Sequence, residues 1–348
     1  MLTTLKKVGT YSILSVVFLI ITWLTGKNEH RIFAALSGFA ISFAVVTVFG
    51  LQIPNNNFHS NPWLVGLGEG ITLLPLVLIA FLPRFSMFFT GGAWFVLFAH
   101  FHLGSRNLLL VTFITLLLVY FSRRVGSSDP AEFTWRKLGR ITRVTGVGVI
   151  VIIFTFFALL SKDLIPERMS QKVIGQMNTE YGLIAAARPD VLASIVGISK
   201  YPMTGYGSGM VDDEVFENYA RFASGGSKSA YNETYSKKHE MVSSPSHSHL
   251  FGAWLDAGFL AAISWIFVLI FCIRMLATAS FYRDPFTPLA IFLSLSTMWD
   301  VVFSPGPNRV ELSLGLATLF LIARRYQQSG DGSGPQGRHD HPGRGILS

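Results

Sequence analysis

The chain of 348 residues holds one cysteine, Cys272, and only 14% of its residues are charged. A lone cysteine excludes an internal disulfide and a cysteine-based metal site within one chain. So little charge, set among long apolar runs, excludes an ordinary soluble domain of this length. No Walker loop, dinucleotide-binding glycine fingerprint or G-x-S-x-G elbow occurs, which removes the common nucleotide enzymes and serine hydrolases. His247-Ser248-His249 is too little for zinc, and no cofactor or metal is expected. No nucleic-acid-binding motif is present. The net charge of +8 comes largely from basic residues flanking apolar segments, as expected where positive charge marks the cytoplasmic side of a membrane. No small-residue cleavage site follows Lys6 and Lys7, so the start reads as a membrane span and not as a removed signal.

What the chain does have is hydrophobic residues, 50% of the total, with 30 Phe among them. A helix needs roughly 20 apolar residues to cross a bilayer. Several segments approach or reach that length, so the fold class is all-α, a polytopic transmembrane helix bundle. The apolar runs are continuous and not alternating, which argues against a transmembrane barrel. Roughly nine spans are expected, near 10–26, 32–52, 63–82, 86–102, 106–121, 145–161, 249–275, 286–303 and 309–324. Four regions follow: N-terminal spans over 1–161, a long polar segment over 162–248, C-terminal spans over 249–324, and a Gly- and Ser-rich disordered tail over 325–348. Arg123, Arg124, Arg136, Lys137, Arg140 and Arg143 place the connection 122–143 in the cytoplasm. By alternation the segment 162–248 lies outside. Nine spans with a cytoplasmic C-terminus would put Lys6 and Lys7 outside as well, against the charge rule.

The long outer segment carries signals of order. Pro189 and Asp190 suit a first helical turn and Pro202 lies past the end, which predicts a helix over 189–199 with Arg188 just before it. Gly205, Gly207 and Gly209 alternate in a stretch suited to tight turns and close backbone approach. The stretch "SGGSKSAYNETYSKK" reads as flexible, and the acidic run Asp212, Asp213, Glu214 as solvated loop charge.

Chemistry concentrates at the boundary between water and membrane. Ser246 is the expected N-cap and His247 the first helical residue, where the dipole keeps an imidazole neutral and able to accept a proton. On a continuous wheel His247, Phe251, Trp254, Gly258 and Ala261 share one face, and Gly258 and Ala261 admit another helix. The competing reading of His247 is an interfacial histidine bonded to a loop, and spacing does not choose between the two. His249 points elsewhere. Arg188 is suited to an anion, Arg106 and Arg309 are further outward arginines, and snorkelling competes as their explanation. Glu69, Asp256 and Asp300 lie within apolar spans and should face a cavity or a partner. Asp256 lies about opposite His247 on the wheel.

"HSHLFGAWLDAGFLAA" resembles the signature of the O-antigen ligase and O-antigen polymerase superfamily. The match falls on His247, Ser248, Asp256 and Gly258, with Ala261 in place of a final glycine. "AARPDVLASIVGISKYPMTGYGSG" is similar to the family's Gly-Arg segment and its Pro-x-x-Gly-x-Gly end, at Arg188, Pro202, Gly205 and Gly207, with Ala187 where glycine is frequent. "GSRNLLLV" is similar to the family's Ser-Arg opening of a span, at Ser105 and Arg106. The likeness runs from about residue 55 to 325, and the first fifty residues are short of the family's usual dozen or so spans.

The resemblance implies a glycosyltransferase of the bacterial inner membrane with its site facing the periplasm. Its donor would be a glycan on undecaprenyl diphosphate, surrounded by membrane lipids. The acceptor of a ligase would be a hydroxyl of lipid A core, or of another glycan or a protein. A polymerase would instead join lipid-linked repeats. No nucleotide, metal or nucleic acid would take part. Arg106 and Arg188 would bind the diphosphate and His247 would be the base, supported by Ser105, Ser248, Asp256, Gly258 and Arg309. The serine after His247 favours the ligase form. A polysaccharide transporter, the rival from another class, predicts charges at the bilayer midplane and internal repeats; the suspect groups cluster at one face and repeats are absent.

Overall fold

A computed structural model describes residues 15–24, 34–38, 63, 68–125, 167–207, 212–236, 248–303 and 309–330, with scattered positions at 28, 31, 41 and between 139 and 162. All the regular elements among them are helical. In chain order they are α1 (Ser15–Leu24), α2 (Gly68–Phe81), α3 (Ser86–His102), α4 (Arg106–Val125), α5 (Glu167–Met177), α6 (Gly182–Ala187), α7 (Pro189–Lys200), α8 (Asp213–Ala223), α9 (Lys228–Ser236), α10 (His249–Phe281), α11 (Thr287–Phe303) and α12 (Arg309–Gly330).

The all-α expectation holds, and the span count is coarser than expected. Among the described residues two helices, Arg106–Arg124 and His249–Phe281, are long and apolar enough to cross a membrane, the second of them broken within its length at Ala257 and Gly258. A third span results if α2 and α3 count as one, bent by 118° at Leu82 and the 3-10 turn Pro83–Phe85. Helices α1 and α11 are apolar but shorter. The expected spans 32–52 and 145–161 lie almost wholly outside the described residues. So does the tail beyond 330, although α12 runs past the expected end at 324.

The bundle core joins α2, α4, α10, α11 and α12. Leu76, Val77, Leu118, Leu289 and Leu319 meet there, all buried, and Cys272 packs among them as a small apolar residue. Hydroxyls inside this core bond their own helix one turn back, as Thr115 does to Val111 O at 2.8 Å and Ser294 to Ala290 O at 2.7 Å. That satisfies them without a partner on another helix.

Among its described residues, the long polar segment 162–248 is more ordered than the sequence suggests. Helix α7 matches its prediction, with Pro189 in the first turn and Arg188 at the N-cap position. The acidic run does structural work: Asp212 caps α8, its carboxylate accepting from the Glu214 and Val215 amides at 3.0 Å each, and Glu214 pairs with Lys200. The stretch expected to be flexible forms α9, whose Tyr231 and Tyr235 stack on each other while Tyr235 packs against Phe216 of α8. Contacts between aromatic rings hold a polar, glycine-led sequence in a helix there.

Candidate functional site

The decisive local feature is a break inside α10. Ala257 and Gly258 leave helical geometry, Gly258 with φ 72 and ψ −165. The first arm, 249–256, folds back along the second, 259–281. His249 stacks on Trp265 with ring centroids 4.8 Å apart, whereas sixteen residues of straight helix would separate them by about 24 Å. Leu250 and Ala253 of the first arm share one buried cluster with Ala262 and Trp265 of the second. The continuous wheel expected from the sequence therefore does not exist.

Breaking a helix strands backbone groups, and the glycine-rich stretch 202–207 satisfies them. The amides of Tyr206 and Gly207 donate to Leu255 O and Asp256 O at 2.7 and 3.0 Å. The Phe259 amide donates to Pro202 O at 3.0 Å, and Trp254 Nε1 donates to the same oxygen at 2.8 Å. Gly258 admits a loop backbone and not another helix: a Cβ there would overlap the Met203 carbonyl. A Cβ on Gly205 would lie 2.6 Å from Leu255 O and 2.7 Å from the Gly258 amide. Pro202, Gly205, Gly207 and Gly258, which stand in two separate sequence motifs, thus form one joint. Leu255 faces outward from it, into a cluster with Ala193 and Val215.

Because the first arm folds back, its N-terminus points along the second arm toward the bundle. The arm begins at His249 with Ser248 as N-cap, two residues later than expected. Ser248 is buried; its hydroxyl accepts from the Phe251 amide at 3.1 Å and donates to Val301 O at 3.0 Å. His247, the residue before it, lies outside the described residues. Two residues further along the end of α11, Phe303 O accepts from Arg188 Nη1 at 2.9 Å. The Arg188 guanidinium also lies over the rings of Trp299 and Phe303, 5.4 and 5.5 Å from their centroids. A cation is well placed at this negative helix end.

Arg106 opens α4 and comes close enough to Arg188 for the two charges to repel. Its Nη1 donates to Gln176 Oε1 at 3.1 Å. Among the described residues, each guanidinium is bonded to a neutral oxygen and neither is paired with a carboxylate. Ser105 is fully buried, with its hydroxyl donating to Asn107 Oδ1 at 3.2 Å and its amide to His100 O at 3.0 Å. Gly258 serves the joint. Asp256 contributes its carbonyl there. Arg309 is the first residue of α12, and its side chain lies outside the described residues.

Two residues of this end escaped the sequence reading. Gln176, at the end of α5, reaches Arg106 from an element with no motif. His100 is fully buried. Its Nδ1 accepts from Trp63 Nε1 at 3.0 Å, which assigns the proton to Nε2, 2.8 Å from Thr72 Oγ1. Thr72 in turn donates to Gly68 O at 2.6 Å. A histidine inside the apolar stretch "VLFAHFHLGSR" was the available signal. Glu69 and Asp300 line one small cavity between α2, α11 and α12, where Ser296 donates to Glu69 Oε1 at 3.2 Å. Among the described residues no cluster of three or more His, Cys, Asp or Glu is placed to hold a metal.

A scan against protein-family models and searches of curated proteins and of solved structures find no match.

Proposed function

We propose that the chain is a membrane glycosyltransferase of the O-antigen ligase type. It moves a glycan from undecaprenyl diphosphate to an acceptor hydroxyl, lipid A core being the acceptor a ligase would use. The observation that carries the reading is the pairing of Arg106 and Arg188 from distant parts of the chain with, among the described residues, no carboxylate between them. Two unneutralised cations held together favour a ligand with two negative charges. Among the described residues most of their N–H donors remain for it, in the fork geometry that matches phosphate oxygens. The C–O bond between sugar and diphosphate breaks, and the arginines stabilise the charge that collects on the departing diphosphate. The acceptor oxygen bonds the sugar carbon, and its proton passes to His247. Support for that base is its place in the chain: it precedes Ser248, whose partner Val301 O is two residues from the carbonyl that Arg188 binds.

The finer topology belongs to the same proposal. The bundle approaches nine spans in the inner membrane, and the helices α5 to α9 face the periplasm, with the arginine-rich ends of α4 and α12 in the cytoplasm. The test is a gel of surface lipopolysaccharide from a strain lacking the gene, complemented with wild type or with His247→Ala at equal expression. Core without O-chain in the deletion strain supports the ligase. Core carrying a single repeat indicates the polymerase, which joins lipid-linked repeats with the same chemistry. An unchanged ladder contradicts both.

A further inference from the structure

The end of the bundle opposite the Arg106–Arg188 pair holds a second basic site. Helix α4 ends, α10 ends and α11 begins there. A cavity of about 360 Å³ opens between them, lined by Arg123 and Arg283, the hydroxyl residues Ser86 and Ser122, and apolar Ile79 and Val119. That volume falls in the range of small-ligand pockets. Arg123 makes no hydrogen bond or ion pair among the described residues. Arg283 spends one donor on Arg124 O at 3.3 Å. The one acid on the rim, Asp284, is already engaged, by the Phe286 amide at 2.8 Å and by Arg325 at 3.3 Å. Among the described residues, two guanidiniums therefore border the cavity without a carboxylate partner, above a wall that is apolar.

We infer that this cavity binds the headgroup of an anionic phospholipid, with Arg123 and Arg283 on its phosphate and an acyl chain along Ile79 and Val119. The depth fits. Seventeen residues of α4 separate Arg106 from Arg123, about 26 Å along the axis, close to the hydrocarbon thickness of a bilayer at ~30 Å. The cavity mouth then stands at headgroup level. Basic pockets between membrane helices on the cytoplasmic side are suited to such lipids. Arg84, Arg124 and Arg324 lie at the same end but do not line the cavity, which makes them the natural control for undirected charge.

Full-length protein in a mild non-ionic detergent is titrated with phosphatidylglycerol, with phosphatidylcholine and with inorganic phosphate, and bound ligand is counted by native mass spectrometry. Phosphatidylglycerol should bind wild type in preference to phosphatidylcholine. R123Q/R283Q should weaken it at least about tenfold, while the charge-matched R84Q/R324Q stays within about twofold. R123K/R283K keeps the charge and loses the fork. It should fall between these, and it replaces the glutamine pair if a thermal melt shows that pair unfolded. Equal loss in both glutamine doubles, or equal binding of the neutral lipid, overturns the inference. So does occupancy by inorganic phosphate that phosphatidylglycerol fails to displace.

Discussion

Replacing Gly258 by alanine should loosen the segment 202–207 from the broken helix. The residue holds φ 72 and ψ −165, a region open essentially to glycine, and forcing a side chain there costs about 1–3 kcal/mol. The new Cβ would also overlap the Met203 carbonyl. Backbone lies on both sides, so no rotamer relieves the overlap and the strands of the joint must part. The amides of Tyr206, Gly207 and Phe259 and the Trp254 indole all bond across it. Each such bond contributes about 0.5–1.5 kcal/mol. Losing two, added to the strain, gives roughly 2–6 kcal/mol. The assay is a thermal melt in detergent with limited proteolysis of the segment 202–207. Gly91→Ala is the control, because a Cβ there meets nothing within 4 Å and a mid-helix alanine should stabilise by about 0.5–1 kcal/mol. Gly205→Ala should resemble Gly258→Ala, and the double variant should cost less than the sum, since both open one joint. If Gly258→Ala melts with wild type and the segment stays protected, the reasoning from the joint is wrong.

Ser248→Ala removes both an N-cap and the tether to Val301 O. It should cost about 1–3 kcal/mol in the same melt, with Ser248→Thr recovering most of it. Asp284 gives a pH signature. Burial pushes its carboxyl above the usual carboxylate range, so the folded protein holds that proton more tightly than the unfolded chain. The resulting stability is present below the unfolded value and is lost as pH rises to the raised one. Asp284→Asn should flatten that part of a melting curve series between acid and neutral pH; an unaltered slope would show that the carboxyl does not titrate there.

Much of the Arg106–Arg188 end was legible because its signals are local. Pro189 and Asp190 mark the start of α7 whatever surrounds them, and Arg188 falls at its N-cap position as expected. The glycines of 205–207 and Gly258 were legible as positions of close approach. Their meeting was not, because it joins segments fifty residues apart. A helical wheel assumes an unbroken helix, and the groups freed by the break at Gly258 are satisfied by carbonyls and amides of the other segment. The same limit explains the N-cap. Ser246 and Ser248 are equivalent in sequence, and the bond from Ser248 to Val301 O separates them. Helix α9 was hidden because its order comes from Tyr235 packing on Phe216, not from propensity. Arg106 and Arg188 were each readable as anion-binding candidates, but their approach to each other depends on the tertiary fold.

The most direct measurement uses the deletion strain again, with Arg106→Gln, Arg188→Gln and His247→Ala supplied at equal membrane levels. Each should leave lipopolysaccharide as core without O-chain while undecaprenyl-linked glycan accumulates. A full ladder from either arginine variant would contradict the diphosphate-binding pair, and a full ladder from His247→Ala would contradict the base.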